Sequence, residues 1–127
     1  MKMTSTTDTG NSGENIAKEF LIKKNYKILN SKWISNHKEI DIIAIDKDVL
    51  VIIEVKTRHS NCLIEPEVSV NRTKQRNLVY AAENYVNRFD INMEVRFDII
   101  SIIINDNGEH IINHIEDAFY PTQIRNK

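Results

Sequence analysis

The sequence predicts an α/β domain, a mixed β-sheet flanked by helices with its elements in the order α-β-β-β-α-β-β. Three observations carry that expectation. Two segments repeat apolar residues at helical spacing, five others are short runs rich in Ile and Val, and turn residues punctuate the boundaries. The length of 127 residues suits one domain, since each typically takes about 100–200.

The elements follow in order. Residues 1–10 are polar and read as a disordered tail, leaving 11–124 as a single domain with a frayed end at Arg125–Lys127. Asn11 or Ser12 can cap a helix running to about Asn25, with Ile16, Ala17, Phe20 and Leu21 as its apolar stripe. Tyr26–Ile34, Glu39–Ile45 and Val49–Thr57 read as strands, the last two joined by a tight turn at Asp46–Lys47–Asp48. His59–Val70 is irregular and contains Pro66. A second helix from about Asn71 to Phe89 places Leu78, Ala81, Ala82, Tyr85, Val86 and Phe89 on one face. Glu94–Ile104 is apolar on both sides late in its length, as in a strand covered twice. Asn105–Gly108 is a turn, and His110–Ile115 a final strand.

Composition narrows the function. Seventeen Lys and Arg against eighteen Asp and Glu leave a net charge of −1, so binding by a global basic field is excluded. Charge is nevertheless sorted. Residues 18–38 hold six Lys and one Glu, whereas residues 83–119 hold eight acids and two Arg, so one side can face a polyanion; solvated faces explain the same pattern. The single cysteine, Cys62, excludes an internal disulfide and a multi-cysteine zinc site, and has no His–Asx context for a nucleophile. The longest apolar runs, Val49–Ile53 and Ile99–Ile104 (broken by Ser101), are too short to span a bilayer, and Met1–Ser12 has no signal-peptide core. No membrane partner is expected, and a reducing cytoplasm is the default compartment.

The informative feature is the hairpin. A turn on Lys47 and Asp48 pairs residues whose numbers sum to 95, so Asp41 faces Glu54 and Glu39 faces Lys56. Like charges directly opposed on a ladder are destabilising. Either the hairpin lies at a surface where both are solvated, with Glu39–Lys56 an ordinary ion pair, or Asp41 and Glu54 share a divalent cation. Hard cations such as Mg²⁺ take carboxylate and carbonyl oxygens and keep several waters.

At this point the sequence resembles a known family. Asp41 followed by Glu54-Val55-Lys56 looks like the metal-dependent nuclease signature of an acid and then (Asp/Glu)-x-Lys. Gly13-Glu14, Glu39-Ile40-Asp41-Ile42-Ile43-Ala44, Ile53-Glu54-Val55-Lys56-Thr57-Arg58, Lys74-Gln75, Arg96-Phe97-Asp98 and Ala118-Phe119 stand in the order seen in the small bacterial YraN-like family. That family is similar in fold to archaeal Holliday-junction resolvases, so the resemblance implies a restriction-endonuclease-like core. It implies Mg²⁺ or Mn²⁺ held by Asp41, Glu54 and the Val55 carbonyl, with Lys56 steadying the attacking water and the transition state. Glu14 matches an acid brought to the metal, although Asn11 with Glu14 three residues later is also a capping-box spacing. Arg58, Arg72, Lys74, Gln75 and Arg76 would meet phosphates around the start of the second helix; a solvated helix end is the rival account. Lys38 stands where the family usually has Gly.

The expected function is a metal-dependent endonuclease acting on DNA, with branched or structured DNA and a homodimer suggested by the resolvase likeness. The alternative is a non-catalytic nucleic-acid-binding or protein-interaction module on the same fold. Other candidates are weaker. His110 and His114 share a strand face without an acid or Cys to complete a metal set and read as surface histidines. Asp98 beside Arg96 reads as a structural ion pair. Trp33 and the scattered Tyr form no RNA-stacking platform, and three Gly make no phosphate loop.

Overall fold

A strand apolar on both faces can only be stable between two covering layers, and Val49–His59 (β3) takes that central place with Leu50, Val51, Ile52 and Ile53 fully buried. The computed structural model describes residues 6–60 and 69–120, residues 6–11 by their backbone alone. The element order is α1 (Thr6–Lys23), β1 (Lys27–Ser35), β2 (Lys38–Asp46), β3, α2 (Arg72–Arg88), β4 (Glu94–Ile104) and β5 (His110–Phe119). This is the α-β-β-β-α-β-β order expected from the sequence. The sheet order is β1-β2-β3-β4-β5, with β3 and β4 parallel and the other pairs antiparallel. The expected tail before residue 6, the loop around Cys62 and Pro66, and the end at Arg125–Lys127 fall outside the described residues.

The two helices cover opposite faces. Ala17 and Leu21 of α1 pack with Ile42, Ala44, Val51, Ile53, Ile100 and Ile102. Leu78, Ala81, Ala82 and Tyr85 of α2 pack with Ile43, Leu50, Ile52, Phe97 and Ile99. Each such aliphatic side chain contributes roughly 1.5–3 kcal/mol on full burial. The approach of α1 to β3 depends on Gly13, because a Cβ there would overlap the Thr57 side chain.

Two boundaries differ from expectation. Helix α1 begins at Thr6, so Asn11 lies inside it and is not its cap, and the expected tail is helical from residue 6. Its Thr, Ser and Gly are weak helix formers, but propensity is only a weak prior. Strand β5 continues past Ile115 to Phe119 through an irregularity, with Asp117 at φ 53°. Two extra residues on β5 interrupt the ladder between the Ile99–Ile115 and Phe97–Phe119 pairs, which hides the strand's second half in the sequence. The Asp117 amide is held there by Asp98 Oδ1 at 3.1 Å. The second helix starts where expected, with the Asn71 side chain accepting from the Lys74 amide at 2.8 Å.

Asp98 is the hub of a buried ionic cluster, as its reading as a structural ion-pair partner anticipated. The Arg96 guanidinium donates to both its oxygens at 3.0 Å and also reaches Asp46 at 3.2 Å and the Tyr26 hydroxyl at 2.7 Å. His114 was expected at the surface; its side chain is instead only 4% exposed, with Nε2 2.8 Å from Asp98 and Nδ1 2.9 Å from the Lys24 ammonium. An ammonium can only donate, so Nδ1 accepts and Nε2 carries the proton that His114 gives to Asp98. Phe20 and Tyr26 pack edge-on against the imidazole. Burial alone would raise the Asp98 pKa, but hydrogen bonds from His114, Arg96 and the Asp117 amide outweigh it and hold the carboxyl below its ordinary value. Asp98 therefore adds stability at neutral pH that is lost as the pH falls through its depressed pKa. Asp98→Asn should cost about 3 kcal/mol in urea unfolding at pH 7, because Arg96 loses its bidentate counter-charge. The deficit against wild type should shrink as both are acidified.

Candidate functional site

The β2–β3 hairpin has the register read from the sequence, with Asp46 opposite Val49 and Ile42 opposite Ile53, across a turn with Lys47 at φ 60°. Pairing then stops. Asp41 and Glu54 are therefore not opposed on a continuous ladder, and Glu39 does not face Lys56; it pairs with Ile34 of β1. The side-chain alternation of β2 also slips here. Ile42 packs on the α1 side and Ile40 on the α2 side, although two residues apart they should share a face. Across the other hairpin, Ser31 pairs with Ile42 and Trp33 with Ile40, and between them Lys32 takes φ 55°.

The separation of β2 from β3 frees the Val55 amide from ladder pairing, and the Asp41 carboxylate takes it at 2.8 Å. That bond draws Asp41 against Glu54. Glu54 is 7% exposed; its Oε2 lies 3.6 Å from the Lys74 ammonium of α2, and its Oε1 is buried with no hydrogen-bond partner. From α1, Glu14 is equally buried; its Oε1 lies 3.6 Å from Lys32 and its Oε2 also lacks a partner.

Three acids and three lysines thus meet between the middle of α1 and the start of α2. Burial pushes the Glu54 carboxyl up to about 7, the Asp41 charge adds to the rise, and Lys74 and Lys56 oppose it. Burial raises Asp41 too, against the Val55 amide and Lys74. Burial and the Asp41 charge raise Glu14, against Lys32 and Lys18. Because the Val55 amide stabilises only the charged form of Asp41, Glu54 is the partner that holds the pair's proton.

The expected residues divide into three groups. Asp41, Glu54 and Lys56 come together, with Glu14 close enough for its charge to act on Asp41. Among the described residues no three His, Cys, Asp or Glu side chains converge at ligand spacing, so Glu14 does not complete a three-carboxylate set. Two carboxylates with a carbonyl and waters are still enough for Mg²⁺. The orphaned Glu54 oxygen is a buried acceptor of the kind a cation satisfies, so the donor set fits a hard divalent ion. Lys74 and Gln75 have internal partners instead of free phosphate-facing groups: Lys74 pairs with Glu54, and Gln75 Nε2 donates to the Val70 carbonyl at 2.7 Å. Gln75 holds the loop onto the helix and is therefore not offered to a ligand. Arg58, Arg72 and Arg76 are exposed.

Lys32 was missed by sequence reasoning. The signal was present: Asn36 and His37, both at positive φ, form a two-residue turn whose register sums to 73 and sets Lys32 beside Asp41.

The sequence carrying this arrangement matches an uncharacterised protein family, UPF0102, over residues 13–102, a span that includes Glu14, Asp41, Glu54, Lys56 and Lys74. The chain belongs to the UPF0102 family. A UPF0102 protein of Parabacteroides distasonis is 44% identical over 118 residues, covering 93% of this chain and 97% of its own. The UPF0102 protein FP2501 of Flavobacterium psychrophilum is 44% identical over 118 residues (93% and 98%). One from Clostridium botulinum is 41% identical over 114 residues (88% and 93%). Among the described residues of this UPF0102 chain, no helix is long and apolar enough to cross a membrane.

The raised Glu54 carboxyl has a measurable consequence for this UPF0102 protein. Its folded pKa lies above its ordinary value of 4.5, so the native state holds an extra proton between about 4.5 and about 7. Stability in chelator should fall as the pH rises through that window. Glu54→Gln should flatten the dependence, the gap at pH 8 being on the order of 1–2 kcal/mol in its favour by urea unfolding.

Proposed function

We propose that this chain is a metal-dependent endonuclease that hydrolyses phosphodiester bonds in DNA, using a restriction-endonuclease-like core. One observation carries the reading: two carboxylates, the part-buried Asp41 and the buried Glu54 with its orphaned oxygen, lie together within reach of the Lys56 charge. Mg²⁺ or Mn²⁺ would be held by Asp41, Glu54 and the Val55 carbonyl, and when bound would cancel their repulsion, polarise a phosphoryl oxygen and acidify a water.

The chain's own residues supply the rest. The Val55 amide fixes the Asp41 carboxylate at 2.8 Å, so one ligand needs no reorganisation. Lys56 provides a positive charge where the pentavalent phosphorane accumulates negative charge. Glu14, held by Lys32, can orient a water at the edge of the site. Arg58, Arg72 and Arg76 are exposed around the starts of α2 and the end of β3, where phosphates would be drawn. Such a substrate belongs to the cytoplasm, and branched DNA cut symmetrically would need two copies of the chain.

A non-catalytic nucleic-acid-binding or interaction module is favoured by one fact: Lys74 and Lys32 already pair with Glu54 and Glu14. Buried ion-pair networks can be purely structural.

Cleavage assays separate the two. Asp41→Asn and Glu54→Gln should abolish Mg²⁺- or Mn²⁺-dependent nicking of DNA while the chains stay folded. Wild-type rates in both variants, or no cleavage by wild type with either metal, would overturn the nuclease reading. Lys56→Ala should lower the single-turnover rate by about 10²–10³ with DNA affinity unchanged, because its charge acts mainly in the transition state. As a mere ion-pair partner it would cost at most about 1 kcal/mol of stability and no rate.

A further inference from the structure

Beside the carboxylates, the β1–β2 hairpin tip and the flank of α2 enclose a groove of about 560 Å³ lined by Trp33, Ile34, Ser35, Asn36, Asn84, Asn87 and Arg88. No acid lines it. At its near end the Tyr80 ring, 40% exposed, is oriented by the Asn36 amide donating to its hydroxyl at 2.6 Å, with the Lys38 ammonium 4.9 Å from the ring centroid. At its far end Phe89, 50% exposed, carries the Arg88 guanidinium 5.7 Å from its ring. The Asn84 amide donates to Ser35 at 2.8 Å and ties the two walls together. Glu39, the acid next to Lys38, lies on the other face of β2 from Lys38 and from Ile40, which packs on the α2 side.

The groove leads out of the site. Lys38 precedes Asp41 by three residues on β2, about 10 Å at 3.3 Å each. Tyr80 follows Lys74 by six residues on α2, about 9 Å of rise. Both walls therefore run in the same direction from the Asp41–Glu54 pair.

The geometry points to an unpaired nucleic-acid strand as the occupant of this groove, its backbone tracked by Lys38 and Arg88 and a base stacked on Tyr80. This rests on the nuclease reading for its place beside the carboxylates and adds the strandedness of the substrate. Exposed aromatics interleaved with cations are the chemistry that holds single strands, because every base has a π-face. A duplex keeps its bases stacked on one another and offers none to Tyr80. The side-chain amides of Asn36, Asn84 and Asn87 both donate and accept, so they meet the edges of any base. A protein partner is less suited, since the charges at the groove's ends, Lys38 and Arg88, are of one sign, which suits a polyanion.

The test is fluorescence anisotropy in chelator with a labelled oligothymidylate and a duplex of equal length. Wild type should prefer the single strand. Tyr80→Ala should weaken that binding by about 5- to 150-fold and remove the preference, with Tyr80→Phe restoring it. Lys38→Ala with Arg88→Ala should shallow the log–log salt slope by about 1.4, two contacts at 0.7 each. Tyr80 is exposed, and an unchanged urea midpoint would show that its loss acts on binding. Wild-type affinity in Tyr80→Ala, or no binding of oligothymidylate by wild type, overturns the assignment; the latter leaves the groove to a protein partner. Tyr80-dependent binding without metal-dependent cleavage would retain the groove and reject the nuclease. Cleavage that needs Asp41 with binding indifferent to Tyr80 would do the reverse.

Discussion

Strand β2 parts from β3 after Ile42 and Ile53, and the rest of the site follows from that parting. A continued antiparallel ladder would give the Val55 amide a backbone carbonyl. Here a side chain takes it, so the Asp41 carboxylate lies against the middle of the sheet next to Glu54. The slip in alternation between Ile40 and Ile42, and the left-handed Lys32 across from it, are the backbone's accommodation of that carboxylate. Two carboxyl groups are held at a place where the ladder does not satisfy them fully.

The molecule contains a second site built around a buried acid, and the contrast is instructive. Asp98 has both oxygens occupied by Arg96, with His114 and the Asp117 amide beside them. Its environment stabilises the charge, and the cluster ties α1, β4 and β5 together as structure. Around Asp41, Glu54 and Glu14 the lysines lie at 3.6 Å, two carboxylate oxygens have no partner, and burial raises all three acids. A satisfied network needs nothing further. The unsatisfied one is where a cation or a polar ligand gains most.

The helices complete the setting, α1 by its middle and α2 by its start. Gly13 lets α1 press on Thr57, which sets Glu14 at the rim, and the Asn71 cap starts α2 so that Lys74, one turn in, reaches Glu54. The outer flank of the same helix forms the groove with the hairpin tip.

The sequence by itself determined the element order, the two-sided burial of β4 and the hairpin register around Lys47. All of these are local: periodicity and tight-turn geometry act over a few residues and leave a readable pattern. The tertiary structure alone decided the end of the β2–β3 ladder, the burial of His114 under Phe20 and Tyr26, the hold of Gln75 on Val70, and the bulge that carries β5 to Phe119. It also decided the gathering of Tyr80, Lys38 and Asn36, which come from a helix and a hairpin up to 44 residues apart. Each of these depends on which distant chain segment reaches a polar group first, and a one-residue slip in a strand moves every later side chain to the other face.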